Sequence, residues 1–287
     1  THQTEIAQGY VTGPSGCRAG LGGRFLQNPE QGVVLQELTS VNLRVAREKI
    51  IPLPQELCAA LQTHFIGMLL VGEPGSGKTT LVSLAARFYD ATEGQVLIDG
   101  QDVRSYSFDA LYDRIGYVTQ RAIVFAGDVR SNVLFGESGA PQDDESVQRA
   151  LSLAQATEFV DKLPGKLDAP IAQAGANVSG GQKQRLSIAR ALARKPEILI
   201  FDDSFSALDY RTDASLRAGL ARELSDTTCL IVAQRIGTIR HADRIVVLDE
   251  GRVAGIGTHD ELMKNCSVYR EIAMSQLSAA ELEKEGV

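Results

Sequence analysis

The sequence predicts an α/β domain with a mostly parallel sheet. Short apolar runs of strand length alternate with amphipathic helical patterns, which is the order that crossover connections between parallel strands produce. The chain has 287 residues, enough to bury one large core or two smaller ones. Its composition is 44% hydrophobic and 23% charged, which excludes collagen-like and wholly disordered chains.

The predicted elements begin after an irregular N-terminal lead-in. Six glycines and a proline between residues 9 and 23 argue against a helix or a central strand there. We therefore predict a Gly-rich lead-in over residues 1–32, a main domain over 33–257 and a helical tail over 258–287. Apolar runs predict strands at Val41–Val45, Met68–Val71, Gln95–Ile98, Ile198–Phe201, Thr228–Ala233 and Arg244–Leu248.

Helices and turns are predicted between these strands. Apolar spacing predicts one helix over Gly77–Phe88 and another over Asp144–Leu163. The mostly helical block from about residue 105 to 195 is interpreted as an inserted subdomain. Glu250–Gly251 predicts a hairpin turn, and Lys49–Gly67 is interpreted as an insertion between two strands.

Charge and cysteine content exclude several classes of protein. The 36 acidic side chains exceed the 29 basic ones, and the net charge of -7 disfavours a general nucleic-acid binder. No run approaches the roughly 18 apolar residues that a membrane-spanning helix needs, and no signal peptide pattern opens the chain. Four widely spaced cysteines predict reduced thiols in a cytosolic compartment: Cys17, Cys58, Cys229 and Cys266.

A glycine-rich loop lies between a predicted buried strand and an amphipathic helix. Such a loop curls so that backbone N–H groups face phosphate oxygens, where a Cβ would obstruct them. Lys78 would reach the β- and γ-phosphates, while Thr79 and, through water, Asp202 would hold magnesium. The residues predicted to bind ATP here fit G-x-x-x-x-G-K-[ST] and its next position: Gly72, Glu73, Pro74, Gly75, Ser76, Gly77, Lys78, Thr79 and Thr80.

A further motif lies between the phosphate loop and Asp202, at the start of a predicted helix. It consists of Ser179, Gly180, Gly181 and Gln182. With it the chain resembles the nucleotide-binding domain of ABC transporters, whose signature is LSGGQ, over about residues 68–277. The resemblance implies a P-loop ABC ATPase domain with a mostly parallel core sheet, an antiparallel β subdomain and an inserted α-helical subdomain. It also implies ATP and Mg²⁺ as cofactors. Two such domains would pair head to tail, each ATP lying between one phosphate loop and the other subunit's signature helix.

Other residues match the family's pattern in order. Gln120 matches the Q-loop residue that touches magnesium and senses the membrane domain, and Ser206 and Asp209 match the D-loop that crosses to the partner. Gly257–Leu262 resembles the tail of exporter-type members. The resemblance therefore implies transmembrane domains in the same or an associated chain, the cytoplasmic face of the inner membrane, and no nucleic-acid partner. We expect the chain to be the cytosolic part of a larger membrane machine.

Two positions depart from the family's pattern. Asp203 stands where the family usually has the Glu that orients the attacking water. Gln234 stands where the family usually has the switch His, which contacts the γ-phosphate. The Asp side chain is one methylene shorter than that of Glu, and Gln, unlike His, cannot become cationic or move a proton. Together they resemble the degenerate subunit of heterodimeric exporters, whose own site is slow while its signature completes a consensus partner's site. The catalytic candidates are therefore Asp203, Gln234 and Lys78.

Several assignments stay open at this point. Phe25 is the nearest candidate for stacking on adenine and Tyr10 the next, although a core role suits Phe25 as well. Gln173 replaces a Glu that exporters commonly have, which would weaken contact with the partner. The alternative functions are a non-hydrolysing, nucleotide-gated clamp or regulatory subunit, and a soluble ABC ATPase of the DNA-repair or translation type. The transported substrate is not encoded here, because the membrane domain selects it.

Overall fold

The computed structural model describes residues 10–12, 18–28, 32–44, 67–72, 75–136, 138–224, 226–233 and 242–276, with side chains from Leu70 onward. The chain divides into two units, Thr1–Ile50 and Ile51–Val287. Most of the predicted insertion Lys49–Gly67 lies outside the described residues, as does the end of the predicted tail. The boundaries of the three predicted domains stay predictions.

The N-terminal unit contains an antiparallel sheet of β1 (Tyr10–Thr12), β2 (Arg18–Asn28) and β3 (Gly32–Arg44). The irregular backbone predicted for this region is therefore wrong over these strands, because β2 pairs with β3 along its whole length. The pairing register shifts between Gly22 and Gly23 and again between Arg24 and Phe25. Glycines suit a strand that bends at such bulges, so a high glycine content did not exclude a strand.

The second unit is built on a six-stranded sheet. The remaining strands are β4 (Gly67–Gly72), β5 (Leu97–Ile98), β6 (Gln101–Asp102), β7 (Ile115–Val118), β8 (Gly127–Asp128), β9 (Pro170–Ile171), β10 (Ile198–Asp202), β11 (Thr228–Val232), β12 (Arg244–Asp249) and β13 (Arg252–Gly257). The sheet has the order β13-β12-β4-β11-β10-β7, and every pair is parallel except β12 with β13. The predicted mostly parallel sheet is confirmed.

The turn between β12 and β13 is the predicted hairpin. Glu250 and Gly251 both have positive φ, 45° and 79°, as the favoured two-residue hairpin turns require. Two small antiparallel pairs, β5 with β6 and β8 with β9, lie outside the main sheet.

The helices of the second unit follow the predicted order with two differences. They are α1 (Lys78–Ala85), α2 (Phe108–Arg114), α3 (Val129–Val133), α4 (Asp144–Leu153), α5 (Thr157–Asp161), α6 (Gly180–Ala193), α7 (Tyr210–Glu223), α8 (His259–Asn265) and α9 (Ser267–Met274). The single helix predicted over Asp144–Leu163 is wrong, because Gln155 has a left-handed φ of 55° between α4 and α5. The block predicted as helical over 105–195 also contains β7, which belongs to the main sheet.

The sheet is buried on both faces. Leu199 and Phe201 of β10 pack with Ile188 of α6, in the core that also holds α3 to α5 and α7. Ile200, between them in sequence, packs on the opposite face with Val82 of α1. Successive strand residues point to opposite faces, so a strand covered on both sides reads as one continuous apolar run. The helices α8 and α9 pack against Val71, Val247 and neighbouring residues of β4 and β12.

None of the helices that the structure describes combines the length and the apolar character needed to cross a bilayer. Cys229 and Cys266 are free thiols, and burial raises the pKa of the Cys229 thiol to about 12. Cys17 and Cys58 lie outside the described residues.

Gly116 in β7 tests how closely the neighbouring strand β10 and the segment that leads into it pack against β7. A Cβ there would lie 2.8 Å from Cδ2 of Leu199 and 2.9 Å from Cγ of Pro196. We expect Gly116→Ala to lower the free energy of unfolding by about 1–3 kcal/mol, because overpacking forces neighbouring groups apart. Gly139→Ala is the matched control, since its Cβ would meet nothing within 4 Å. Urea unfolding of both variants measures the difference, and equal midpoints would contradict the packing described.

Candidate functional site

The phosphate loop joins the end of β4 to the start of α1. Gly75 and Gly77 have φ of 87° and 99°, a left-handed backbone that favours glycine. A Cβ on Gly72 would overlap the carbonyl oxygen of Leu248 in the adjacent strand β12. The glycines are therefore required both by the turn and by the close approach of β12. Glu73 and Pro74, between them, lie outside the described residues.

Lys78 and the start of α1 give this loop its positive character. Lys78 is 7% exposed, and its ammonium donates hydrogen bonds to the carbonyl of Gly72 at 2.6 Å and to Oγ of Ser76 at 3.3 Å. No side chain caps the N-terminus of α1, and its first turn carries no acidic residue. Uncapped N–H groups at a helix start favour an anion. The arrangement suits a phosphate chain bound across the loop.

Thr79 and Asp202 meet at the carboxyl edge of the sheet. Thr79 Oγ1 donates a hydrogen bond to Asp202 Oδ1 at 2.9 Å, although the two residues are 123 positions apart. Asp202 is only 6% exposed. Donating its proton to Asp202 leaves the lone pairs of the Thr79 hydroxyl available to a metal, and the Asp202 carboxylate can accept a hydrogen bond from a metal-bound water. The pair therefore fits the magnesium site predicted from the sequence.

The wider donor set around this pair also fits magnesium. It consists of the Thr79 hydroxyl, the Asp202 carboxylate and the Gln120 amide oxygen. These are hard oxygen ligands, which this ion prefers. Within the described part of the chain, no cluster of three or more His, Cys, Asp or Glu residues could hold a metal by itself. A magnesium ion at Thr79 and Asp202 would therefore depend on nucleotide oxygens and water for its remaining ligands, as is usual for this metal.

Tyr117 is a part of this site that sequence reasoning missed. Its phenol hydroxyl donates to Asp202 Oδ2 at 3.3 Å, while Thr79 holds the other oxygen. Burial and the nearby charge of Asp202 raise the pKa of Tyr117, so the phenol stays a neutral donor. Only the strand register reveals this contact, since Tyr117 pairs with Ile200, two residues before Asp202 on the same face.

Asp203 follows Asp202 in an unusual backbone conformation. Its φ is 49°, its side chain is 8% exposed, and its N–H donates to the carbonyl of Val232 at 3.0 Å. Gln120 Nε2 donates to Asp203 Oδ2 at 3.0 Å. The structure therefore brings the predicted Q-loop residue and the predicted water-orienting carboxylate into direct contact. Gln234, predicted beside them, lies outside the described residues.

The predicted signature residues begin α6 on the protein surface. Ser179 and Gln182 cap this helix reciprocally: Gln182 N–H donates to Ser179 Oγ at 3.3 Å, and Ser179 N–H donates to Gln182 Oε1 at 2.8 Å. Ser179 and Gly180 are exposed, and within the part of the chain that the structure describes a Cβ on Gly180 would meet no atom within 4 Å. The first turn of α6 is therefore open to solvent, with further backbone donors available to an anion.

The predicted D-loop leads from Asp203 into α7. Ser206 Oγ donates to the carbonyl of Asp203 at 2.8 Å, and Asp209 caps α7 by accepting from the N–H of Thr212 at 3.0 Å. That backbone hydrogen bond lowers the pKa of the Asp209 carboxyl below its ordinary value. Ser206 and Asp209 are both exposed. These residues shape an exposed turn whose start is bonded to the catalytic candidate Asp203.

The remaining candidates are less informative. Phe25 and Tyr10 lie on β2 and β1 of the N-terminal unit, where only the backbone is described, so stacking on adenine stays a prediction. Gln173 is exposed in a short 3₁₀ turn, Gln173–Gly175.

Comparisons with known proteins agree on one family. The family model described as ABC transporter matches residues 66–206. An uncharacterized ABC transporter ATP-binding protein of Mycobacterium tuberculosis is 46% identical over 74% of this chain and 36% of its own length. The ATP-dependent lipid A-core flippase of Albidiferax ferrireducens is 42% identical over 72% of this chain and 36% of its own length.

A further relative and a solved structure point to exporters. The putative multidrug export ATP-binding/permease protein YgaD of Bacillus subtilis is 41% identical over 71% of this chain and 35% of its own length. The structure of a bacterial Atm1-family ABC exporter with ATP bound superimposes with a TM-score of 0.69 at 36% identity, over 73% of this chain and 36% of that one. The chain thus spans about a third of the length of these relatives.

Thr79 allows a direct test of the magnesium pair. Thr79→Val keeps the shape of the side chain but removes the hydroxyl that contacts Asp202. We expect ATP binding in Mg²⁺ to weaken by about tenfold or more, towards the affinity measured in EDTA, because the metal loses a ligand. Thr79→Ser retains the hydroxyl and should keep most of the Mg²⁺ dependence. Calorimetric titration in Mg²⁺ and in EDTA makes the measurement, and an unchanged Mg²⁺ dependence in Thr79→Val would refute this site.

Proposed function

The chain belongs to the ABC transporter family and carries its exporter-type nucleotide-binding domain, and from this premise we propose how it works. It binds magnesium–ATP at its phosphate loop and pairs head to tail with a second such domain. ATP binding and hydrolysis then power transport by attached transmembrane domains at the cytoplasmic face of the membrane. The observation that carries this proposal is the contact between Thr79 of the loop and Asp202 of β10.

The loop and its lysine hold the phosphates. Backbone N–H groups at the start of α1 face the phosphate oxygens, and the Lys78 ammonium exchanges its bonds to Gly72 and Ser76 for the β- and γ-phosphates. Thr79 and Asp202 would hold the metal, with Asp202 acting through water. Held there, the ion would supply positive charge to offset the negative charge that develops on the phosphate oxygens during transfer.

Asp203 and Gln120 form the group that orients the attacking water. Hydrolysis forms a bond from the water oxygen to the γ-phosphorus and breaks the bond to the β–γ bridging oxygen, which leaves on ADP. Asp203 is one methylene shorter than the usual Glu, and a misplacement of about 1 Å at a reacting group can cost on the order of 100-fold in rate. Gln234, in place of the switch His, cannot carry a positive charge toward the γ-phosphate. This chain's own site is therefore slow.

The signature helix serves the partner's ATP. The exposed start of α6 presents backbone N–H groups. The reciprocal cap of Ser179 and Gln182 fixes the first turn and leaves other N–H groups of that turn available to an anion. Glycines at positions 180 and 181 leave room for a phosphate to approach the backbone. The intact signature supports pairing with a different, consensus subunit whose fast site it completes.

An aromatic groove is the proposed docking site for the transmembrane domains. The groove has a volume of about 790 Å³, and its lining includes Phe88, Tyr112 and Tyr117 as well as charged residues. Phe88 is 49% exposed and the nearby Phe108 is 52% exposed. Exposed aromatic clusters of this kind mark protein interfaces. The relative YgaD is named an ATP-binding/permease protein, and this chain spans 35% of it, which supports a membrane segment as the occupant.

A non-hydrolysing clamp is the second candidate function. In that case this chain's ATP would stay bound while its signature helix held the partner. Asp203 and Gln234 favour it, because both departures fall on residues that act in hydrolysis and not in binding.

Restoring the usual residues tests whether Asp203 and Gln234 limit hydrolysis at this site. We expect Asp203→Glu combined with Gln234→His to raise ATP turnover at this site by up to about 100-fold in the assembled transporter, because the carboxylate regains its reach. Asp143→Glu is the control: it adds the same methylene at the exposed cap of α4 and should leave the ATPase rate unchanged. Steady-state ATPase rates measure the effect. A double variant no faster than the unaltered transporter would contradict the assignment of a slow site to these residues.

The signature's role is tested at Gly180. Because a Cβ at Gly180 would meet no atom of the described residues within 4 Å, Gly180→Glu should fold normally yet place a negative charge against the partner's ATP. We expect ATPase activity of the mixed dimer to fall at least about tenfold, since like charges repel in a dry site. Ser152→Glu, on the exposed face of α4, is the matched control. Unchanged activity of the dimer carrying Gly180→Glu would exclude a part for this signature in the partner's site.

A further inference from the structure

Tyr117 lies between the magnesium pair and the surface. It stands on β7 opposite Ile200 of β10, and in parallel strands residues two apart share a face, so its ring lies on the same face as Asp202. The phenol hydroxyl donates to Asp202 Oδ2 at 3.3 Å. Thr79 donates to Oδ1 of the same carboxylate at 2.9 Å. Each oxygen of Asp202 is thus held by a different hydroxyl.

Two separate donors fix the orientation of this carboxylate. A carboxylate held at one oxygen can still turn about the bond that carries it, whereas one held at both oxygens cannot do so without losing a hydrogen bond. The loss is costly at Asp202, because this side chain is 6% exposed and water cannot readily replace the phenol. Tyr117 therefore sets the direction in which the remaining lone pairs of Asp202 point.

The ring of Tyr117 also lines the aromatic groove. The ring of Tyr117 lies 4.9 Å from that of Phe88, centroid to centroid, and Phe88 lies 6.4 Å from Tyr112. All three residues line the groove, and Phe88 is half exposed. A tyrosine has only two side-chain torsions, so a shift of its ring moves the hydroxyl at the far end as well.

We propose that Tyr117 is a positioning residue that orients Asp202 for magnesium–ATP and links that carboxylate to the aromatic wall of the groove. The inference rests on the proposed magnesium–ATP site, and it adds a residue and a connection to it. A change in the packing of Phe88 reaches Asp202 through one side chain, without any movement of the sheet.

Tyr117→Phe tests the positioning role, because it removes the hydroxyl and keeps the ring. In the full chain, we expect the Mg²⁺ concentration needed for half-maximal ATP binding to rise on the order of tenfold. ATP binding in EDTA should not change. Tyr106→Phe is the matched control, since its hydroxyl bonds to the carbonyl of Ile98 and to Arg114, away from Asp202. Equilibrium dialysis with ATP at increasing MgCl₂ makes the measurement.

Phe88→Leu tests the connection through a double-mutant cycle. If the ring contact transmits packing to Asp202, Phe88→Leu should raise the Mg²⁺ requirement at least about threefold in the unaltered chain and much less in the Tyr117→Phe background. Equal effects in the two backgrounds would overturn the connection. A Tyr117→Phe chain that matches Tyr106→Phe within a factor of two would overturn the positioning role. If the unaltered chain binds ATP without any Mg²⁺ dependence, the proposed magnesium site itself fails, which is a different result from either of these.

Discussion

The hydrogen bond from Thr79 to Asp202 joins two segments that are 123 residues apart, and the rest of the site depends on it. It is possible because β4 and β10 both pair in parallel with β11, so their carboxyl ends reach the same edge of the sheet. The phosphate loop leaves one of these ends, and the acidic pair Asp202 and Asp203 leaves the other. Both faces of the sheet are covered, and the carboxyl ends of its strands are where ligands bind in open α/β sheets.

Hydrogen bonds extend from this edge toward the signature helix. Gln120 bonds to Asp203, and one residue earlier the carbonyl of Thr119 accepts from Nε2 of Gln184 at 3.4 Å. Gln184 is buried on α6, two positions after the signature residue Gln182. The hydrogen bond from Gln184 to Thr119 connects α6 to the segment that carries Gln120. A few polar contacts therefore connect Asp203 with the helix that carries the proposed signature residues.

The sequence predicted the parts of this arrangement that rest on local chemistry. Gly75 and Gly77 need a left-handed backbone and Ser179 caps a helix, and each of these requirements can be seen in a short motif. Tyr117 could not be assigned in this way, because its role depends on the register of β7 against β10. The break at Gln155 was missed for a similar reason, since apolar spacing continues through it from α4 into α5. The glycines of β2 were misjudged because pairing with β3 outweighs their weak strand preference.

The central claim is that one chain builds halves of two different ATP sites, and amide hydrogen exchange tests it most directly. With saturating magnesium–ATP and low protein concentration, the account predicts protection of the loop amides over residues 75–80 alone. Raising the concentration, or adding a consensus partner, should then protect the amides of residues 180–182 at the start of α6. Protection of both segments together in the monomer, or no protection of the signature amides in any dimer, would contradict the account.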